Sequence, residues 1–364
     1  VASNPTHSNV ALRGMSDALE QATDPPALAQ AMLAPNDSTN QTFPPVPIPG
    51  NQTSPVAAFV QPNYYYAFAD TLNGDPDIHL RSFDASLATS QSQNAPIGIN
   101  GTNGAGESNA QDSPTMAVNG TGVIYVAWRD LSGPNAGQVV GRTYDSTKNA
   151  LGTETPISTG SGNEHVQVAG TSTGWVAVWD NGAQIFMRPI EGNGTPYGTA
   201  VLVSTTSNHA DHPGVAALND DRVAVVWAEH GTANGTEVFA QRYTKDLAPV
   251  AGDQDVPVND LVSAGDQDNP AIAGTTAAGG SFVLAWVDEA SGHVRGRILD
   301  GSTGFDFNPV DGSSDEFKAS LAEGPIRENP VVAVGGSQPW IAIGWDVAGV
   351  VMARRFPTVT QAAQ

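Results

Sequence analysis

Asn269-Pro270-Ala271-Ile272-Ala273 is followed by Phe282-Val283-Leu284-Ala285-Trp286 and then by a strand centred on Arg297, and this succession decides the fold because it occurs six times. The other openings are Ser54-Pro55-Val56-Ala57, Ser113-Pro114-Thr115-Met116-Ala117, His165-Val166-Gln167-Val168-Ala169, His212-Pro213-Gly214-Val215-Ala216 and Asn329-Pro330-Val331-Val332-Ala333. From Pro55 through Pro114, Val166, Pro213, Pro270 and Pro330 the steps are 59, 52, 47, 57 and 60 residues. A supersecondary unit repeated at that period is the mark of a propeller or array.

Each opening leads to a second run in which apolar residues alternate and an aromatic closes, the period of a β-strand. These runs end at Phe68, Trp128, Trp179, Trp227, Trp286 and Trp345, so five of the seven tryptophans hold one place in the repeat. A side chain of that size suits the wedge between neighbouring sheets better than a ligand-stacking role. The third run carries Arg81, Arg142, Arg188, Arg297 and Arg354, with Gln241 in the remaining repeat. An arginine flanked by apolar neighbours needs a carboxylate or carbonyl partner, and its recurrence makes it a tie between blades rather than a substrate clamp.

Fourth strands are the short runs at 95–99, 155–158, 201–204, 255–258 and 317–320, and the last repeat has none. Val46-Pro47-Ile48-Pro49-Gly50 has the look of the missing one, placed to close a ring. The fold class is therefore an all-β, six-bladed β-propeller of four-stranded blades, closed by an N-terminal strand. It spans 44–358, after an arm at 1–43 and before a tail at 359–364. N-cap and N1-proline signals in the arm predict short helices over Ser16–Glu20 and Asp24–Leu33. The arm serves to pack on the propeller or to dock on another subunit as a homo-oligomer, and both alternatives stay open.

The chain has 364 residues, 37 acidic and 15 basic, for a formal charge of -22. That balance excludes nucleic acid and anionic membranes as partners and favours cations. No apolar run approaches the roughly 18 residues of a membrane span. Without cysteine there is neither a disulfide framework nor a thiolate metal site. A start at Val1 suits a mature secreted protein and equally a trimmed chain, and the expectation adopted is a chain outside the cell or on its surface.

The fourth repeat and its junction, with Trp227, Gln241-Arg242-Tyr243, Val258-Asn259 and Asp266-Gln267-Asp268-Asn269-Pro270, resemble a degenerate repeat of large secreted bacterial proteins, the hemolysin-type and adhesin-like surface chains. The resemblance covers 52–356 and implies a propeller in an extracellular or cell-surface setting. The nonapeptide calcium repeat that often accompanies such segments is absent, and so is the sialidase Asp-box.

Two series of carboxylates fall at the strand ends expected to share one face of the propeller, its mouth. Asp112, Glu164, Asp211, Asp268 and Glu328 precede the proline position by two, with Thr53 breaking the series. Asp70, Asp130, Asp180, Glu229, Asp288 and Asp346 follow the aromatic of the second strand. Carboxylates lining a mouth suit a hard cation or a cationic ligand, whereas turn capping and pairing with arginine account for a residue repeated in every blade. Departures from the repeat carry more information. His165, His209, His212 and His230 gather in the third and fourth repeats beside Glu164, Asp211 and Glu229, and imidazoles with a carboxylate suit a transition metal. Asn73, Asp75 and Asp77 offer oxygen ligands at alternate positions, and Asp306, Asp311, Asp315 and Glu316 crowd a long loop, as calcium sites do. Calcium is the first cofactor candidate and a transition metal the second.

The ligand-binding set is thus Asp112, Glu164, His165, Asp211, His212, Glu229, Asp268 and Glu328. Gly170-Thr171-Ser172-Thr173-Gly174 matches G-x-S-x-G but joins two strands, so it is no nucleophile elbow. The leading expectation is a binding or structural module that recognises glycan or protein at the cell surface. The alternative is an extracellular glycoside hydrolase or lyase using mouth carboxylates as general acid and base with histidine assistance.

Overall fold

The computed structural model describes residues 31–32, 52–71, 75–84, 97–100, 110–206, 208–233, 235–259, 265–275, 280–300, 316–320, 328–335, 340–347 and 350–356. All regular structure among them is strand, in six sheets that are the four-stranded blades of an all-β six-bladed propeller fold.

The first strand in the chain, β1 (Ala31–Met32), belongs to the last sheet. Blade one is β2 (Gln52–Val60), β3 (Asn63–Asp70), β4 (Asp77–Asp84) and β5 (Ile97–Gly98). Blade two is β6 (Gln111–Val118), β7 (Ile124–Asp130) and β8 (Val139–Asp145), with β9 (Ala150–Leu151) and β10 (Thr155–Pro156) both paired to β8. Blade three is β11 (Glu164–Gly170), β12 (Trp175–Asp180), β13 (Ile185–Ile190) and β14 (Val201–Leu202). Blade four is β15 (His209–Ala217), β16 (Val223–Thr232), β17 (Gly235–Tyr243) and β18 (Val256–Pro257). Blade five is β19 (Gln267–Gly274), β20 (Ser281–Asp288), β21 (His293–Asp300) and β22 (Phe317–Lys318). Blade six is β23 (Glu328–Gly335), β24 (Trp340–Val347) and β25 (Val350–Phe356), completed by β1.

The pairing Ala31↔Ala353 and Met32↔Met352 places strand where the sequence predicts the end of a helix. The open edge of β25 offers unpaired N–H and C=O groups, and two residues of local propensity do not compete with that ladder. Val46–Gly50, expected to close the last blade, and the helix over Ser16–Glu20 lie outside the described residues.

By contacts the chain divides into two units, one holding 36–182 and 186–201, the other 183–185 and 202–364 with 11–35. Each unit buries its cores between blades by the same device. In β7, Ile124, Val126 and Trp128 pack toward blade one while Tyr125 and Ala127 pack toward blade three. In β20, Phe282, Leu284 and Trp286 pack toward blade four while Val283 and Ala285 pack toward blade six. Period-two alternation thus fills both faces, which is why these second strands read as almost continuous apolar runs.

The repeated arginines are inter-blade ties, and their partners are carbonyls. Arg142 Nη1 donates to Ile99 O at 2.7 Å, Arg188 Nη1 to Ile157 O at 2.7 Å and Arg297 Nη1 to Val258 O at 2.6 Å, each reaching the fourth strand of the preceding blade. The next residue in each of those fourth strands turns back to its own blade: Asn100, Ser158 and Asn259 accept from the N–H of Ile78, Val139 and Val238. Ser204 and Ser320 do the same for Ile185 and Val294. All five are buried. One short strand end therefore satisfies two blades, a division of labour between its carbonyl and its side chain.

Every first strand also carries a register shift at the same place, after Thr53, Asp112, Glu164, Asp211, Asp268 and Glu328. The residue that follows has a left-handed backbone: Ser54 (φ 51°), Ser113 (52°), His165 (43°), His212 (50°), Asn269 (53°) and Asn329 (49°). A β-bulge re-aims the side chains on either side of it, here at the end of the strand that bears the first carboxylate series.

Candidate functional site in blades four and five

Blade four breaks the repeat by extending its central hairpin. Where β7, β12 and β20 stop at the acid after the tryptophan, β16 runs on through Glu229 and His230 to Thr232, and β17 starts at Gly235 to pair with it. His230 is thereby set directly opposite His209 on β15, with ring centroids 5.1 Å apart. Asp211, two residues along β15 and just before the bulge, sits among three imidazoles. Its Oδ1 lies 2.9 Å from His230 Nε2 and 3.0 Å from His212 Nδ1, and its Oδ2 lies 3.8 Å from His209 Nδ1. Burial alone would push the Asp211 carboxyl up, but hydrogen bonds from His212 and His230 and their positive charge hold it down to about 2.

Asp268 reaches this group from blade five, its Oδ1 3.5 Å from His212 Nδ1 and 2.6 Å from the N–H of Asn269. On the neighbouring strand the ladder runs Gln267↔Asp288 and Asp268↔Val287, and the Glu289 N–H continues it by donating to Asp266 O at 2.9 Å. Glu289 thus lies two residues beyond the partner of Asp268, in the exposed turn that follows β20. Burial first, then the charges of Asp266 and Asp268, raise its carboxyl above the ordinary value. Glu289 occupies in blade five the place of His230 in blade four, directly after the buried acid. The sequence reading missed it because it scored the repeated acid, Asp288, and passed over its neighbour.

The second carboxylate series is largely buried scaffold: Asp70, Asp130, Asp180, Glu229 and Asp288 are each at most 4% exposed. Asp130, Asp180 and Asp288 accept from the N–H of Ser132, Gly182 and Ser291 in the turns that follow, and Glu229 accepts from Asn208 Nδ2 at 2.8 Å. In the first series Asp112 takes a bidentate pair from Arg129, at 2.8 and 2.6 Å, and the third nitrogen of that guanidinium meets Glu164 at 3.1 Å. Glu328 is exposed. His165 Nδ1 lies 2.7 Å from Asp180 Oδ2.

Of the calcium candidates, Asn73, Asp306, Asp311 and Asp315 lie outside the described residues. Asp75 is exposed, Asp77 is buried with its Oδ1 accepting from Asn100 Nδ2 at 2.8 Å, and Glu316 meets Arg295 Nη1 at 3.1 Å.

No protein-family model matches the chain, and no characterised protein matches it in sequence. Solved structures of similar fold include the Penicillium chrysogenum α-L-arabinanase complexed with arabinobiose, 10% identical over 84% of this chain and 93% of that one, TM-score 0.52. A protein of unknown function from Dyadobacter fermentans is 9% identical over 84% and 94%, also at 0.52. The α-L-arabinofuranosidase Arb93A from Fusarium graminearum in complex with an iminosugar inhibitor is 10% identical over 87% and 97%, at 0.49. At such identities the likeness is one of fold. It overturns the resemblance to hemolysin-type and adhesin-like repeats, since the same fold is found in the arabinanase. The residues behind that resemblance, alternating apolar positions, a tryptophan and a bulge before proline, are what a four-stranded blade requires of any chain.

Proposed function

We propose that this chain is an extracellular glycoside hydrolase, with Glu289 as general acid and Asp268 as the carboxylate that activates water. The observation that carries the reading is the pair itself: two carboxylates of blade five, of which Glu289, in the turn after β20, is raised above its ordinary value by burial and then by the charges of Asp266 and Asp268. Splitting the proton affinities of two carboxylates is how one site runs acid and base chemistry together.

The fold likeness to an arabinanase supports arabinose-containing polysaccharide as the first substrate to try. The strongly acidic surface fits a neutral glycan rather than an anionic one. Among the described residues no helix is long and apolar enough to cross a membrane. The test is digestion of arabinan and a panel of neutral polysaccharides by the wild-type chain and by E289Q and D268N. Release of oligosaccharide, lost in both variants, supports the reading. Glycan retention without any turnover returns the chain to the class of binding modules and removes the enzyme.

A further inference from the structure

We propose that blade four binds one divalent transition-metal ion through His209 Nδ1, a carboxylate oxygen of Asp211 and His230 Nε2. The three donor groups lie within 4.8 Å of one another, close enough to meet around a single ion. They are delivered by paired backbone rather than by a loose loop: His209 and His230 are cross-strand partners, and Asp211 follows on the same strand. Among the described second strands, β7, β12 and β20 stop at the acid and β24 passes it by one residue, whereas β16 passes it by three and so carries His230 in the ladder region.

Thr236 supplies the outer support that a metal-ligating imidazole needs. His230 Nδ1 lies 2.9 Å from Thr236 Oγ1, on the strand paired with its own. On the other side of the ring, His230 Nε2 lies 2.9 Å from the Asp211 carboxylate. With a metal ion on Nε2 the ring keeps its hydrogen on Nδ1 and donates it to Thr236, the outer partner that would fix the ring and its tautomer. Thr236 is itself anchored, its N–H donating to Asp266 Oδ1 at 2.8 Å. His212 and Asp268 flank the site, with a second close grouping around Asp211. Two imidazoles with one carboxylate select zinc and its first-row neighbours over calcium, which takes six or more oxygens. Three protein ligands leave a coordination position for water or a sugar hydroxyl.

The site does not depend on the hydrolase assignment, since none of its three ligands is a member of the carboxylate pair. Titrating metal-stripped full-length chain with zinc chloride in a calorimeter, with native mass spectrometry for stoichiometry, tests it directly. One zinc per chain is expected, undisturbed by an equal concentration of calcium. Binding weakens at least about tenfold in H209A and in H230A, and by about 10–100-fold in T236V, where only the outer partner is lost. H165Q, on blade three, leaves it unchanged. Absence of zinc uptake, uptake surviving in the H209A/H230A double variant, or displacement by equimolar calcium overturns the proposal.

Discussion

Gly170, the last residue of β11, lies against the carbonyl oxygen of Val118 in the preceding blade, so closely that a Cβ on the glycine would drive into that oxygen. Gly274 repeats the relationship against Ala217 O in blades five and four. Neither glycine has a left-handed backbone, so the requirement is closeness alone. G170A and G274A are each expected to lose about 1–3 kcal/mol, measured by urea unfolding followed through tryptophan fluorescence. A neutral outcome at either site would mean that neighbouring blades separate without cost.

Arg242 and Asp253 form an ion pair at 2.6 Å with side chains only 7% and 8% exposed. Removing one partner leaves a buried charge, so R242M is expected to cost about 3–5 kcal/mol. Adding D253N to R242M should recover a large part of that loss, because the uncompensated charge is gone. Equal stability of the single and double variants would show that packing, not charge, is what the arginine supplies.

The arginine ties make a third expectation. In R142M the carbonyl of Ile99 loses the donor that reaches it from blade two, and a buried acceptor without its partner costs about 1–3 kcal/mol. R142K should not restore wild-type stability, since a compact ammonium does not reproduce the reach and plane of the guanidinium. Full stability in R142K would reduce the tie to a point charge.

If Glu289 is the proton donor in hydrolysis, its activity belongs to the protonated form. The rate should then fall on the alkaline side as pH rises through its raised pKa. D266N removes one of the two negative charges that raise it and should move that limb to lower pH while keeping an oxygen for the Thr236 N–H. E289Q should lose about 10²–10⁴-fold in kcat/KM and the limb with it. A pH profile identical in D266N and wild type would detach the limb from Glu289.

The blades were legible in the sequence because each needs the same things of its strands. Trp227 and Trp286 announce second strands, Pro213 and Pro270 the first, and Arg297 a third whose partner was foreseen as carboxylate or carbonyl and is the carbonyl of Val258. The part that Asn259 and Ser320 play in closing fourth strands onto their own blades is not legible in the sequence. A single polar residue after two or three apolar ones has no periodicity to detect. In the candidate site, the clustering of His209, His212 and His230 stood out because histidine is scarce, with seven in the chain. Their mutual geometry did not, because it depends on the extra turn of ladder between Glu229 and Thr232. Glu289 stayed hidden for the opposite reason, as an ordinary carboxylate beside one that the repeat had already explained.

The six bulges have a consequence for how such a chain can vary. Positions 54, 113, 165, 212, 269 and 329 hold only serine, histidine and asparagine, polar residues at a backbone angle that β-branched side chains resist. They form a set of interchangeable sockets at matching strand ends, each accepting a short polar group without altering the sheet behind it. A repertoire of recognition chemistries can therefore be exchanged blade by blade on one unchanging frame, and His212 of blade four is one such insertion.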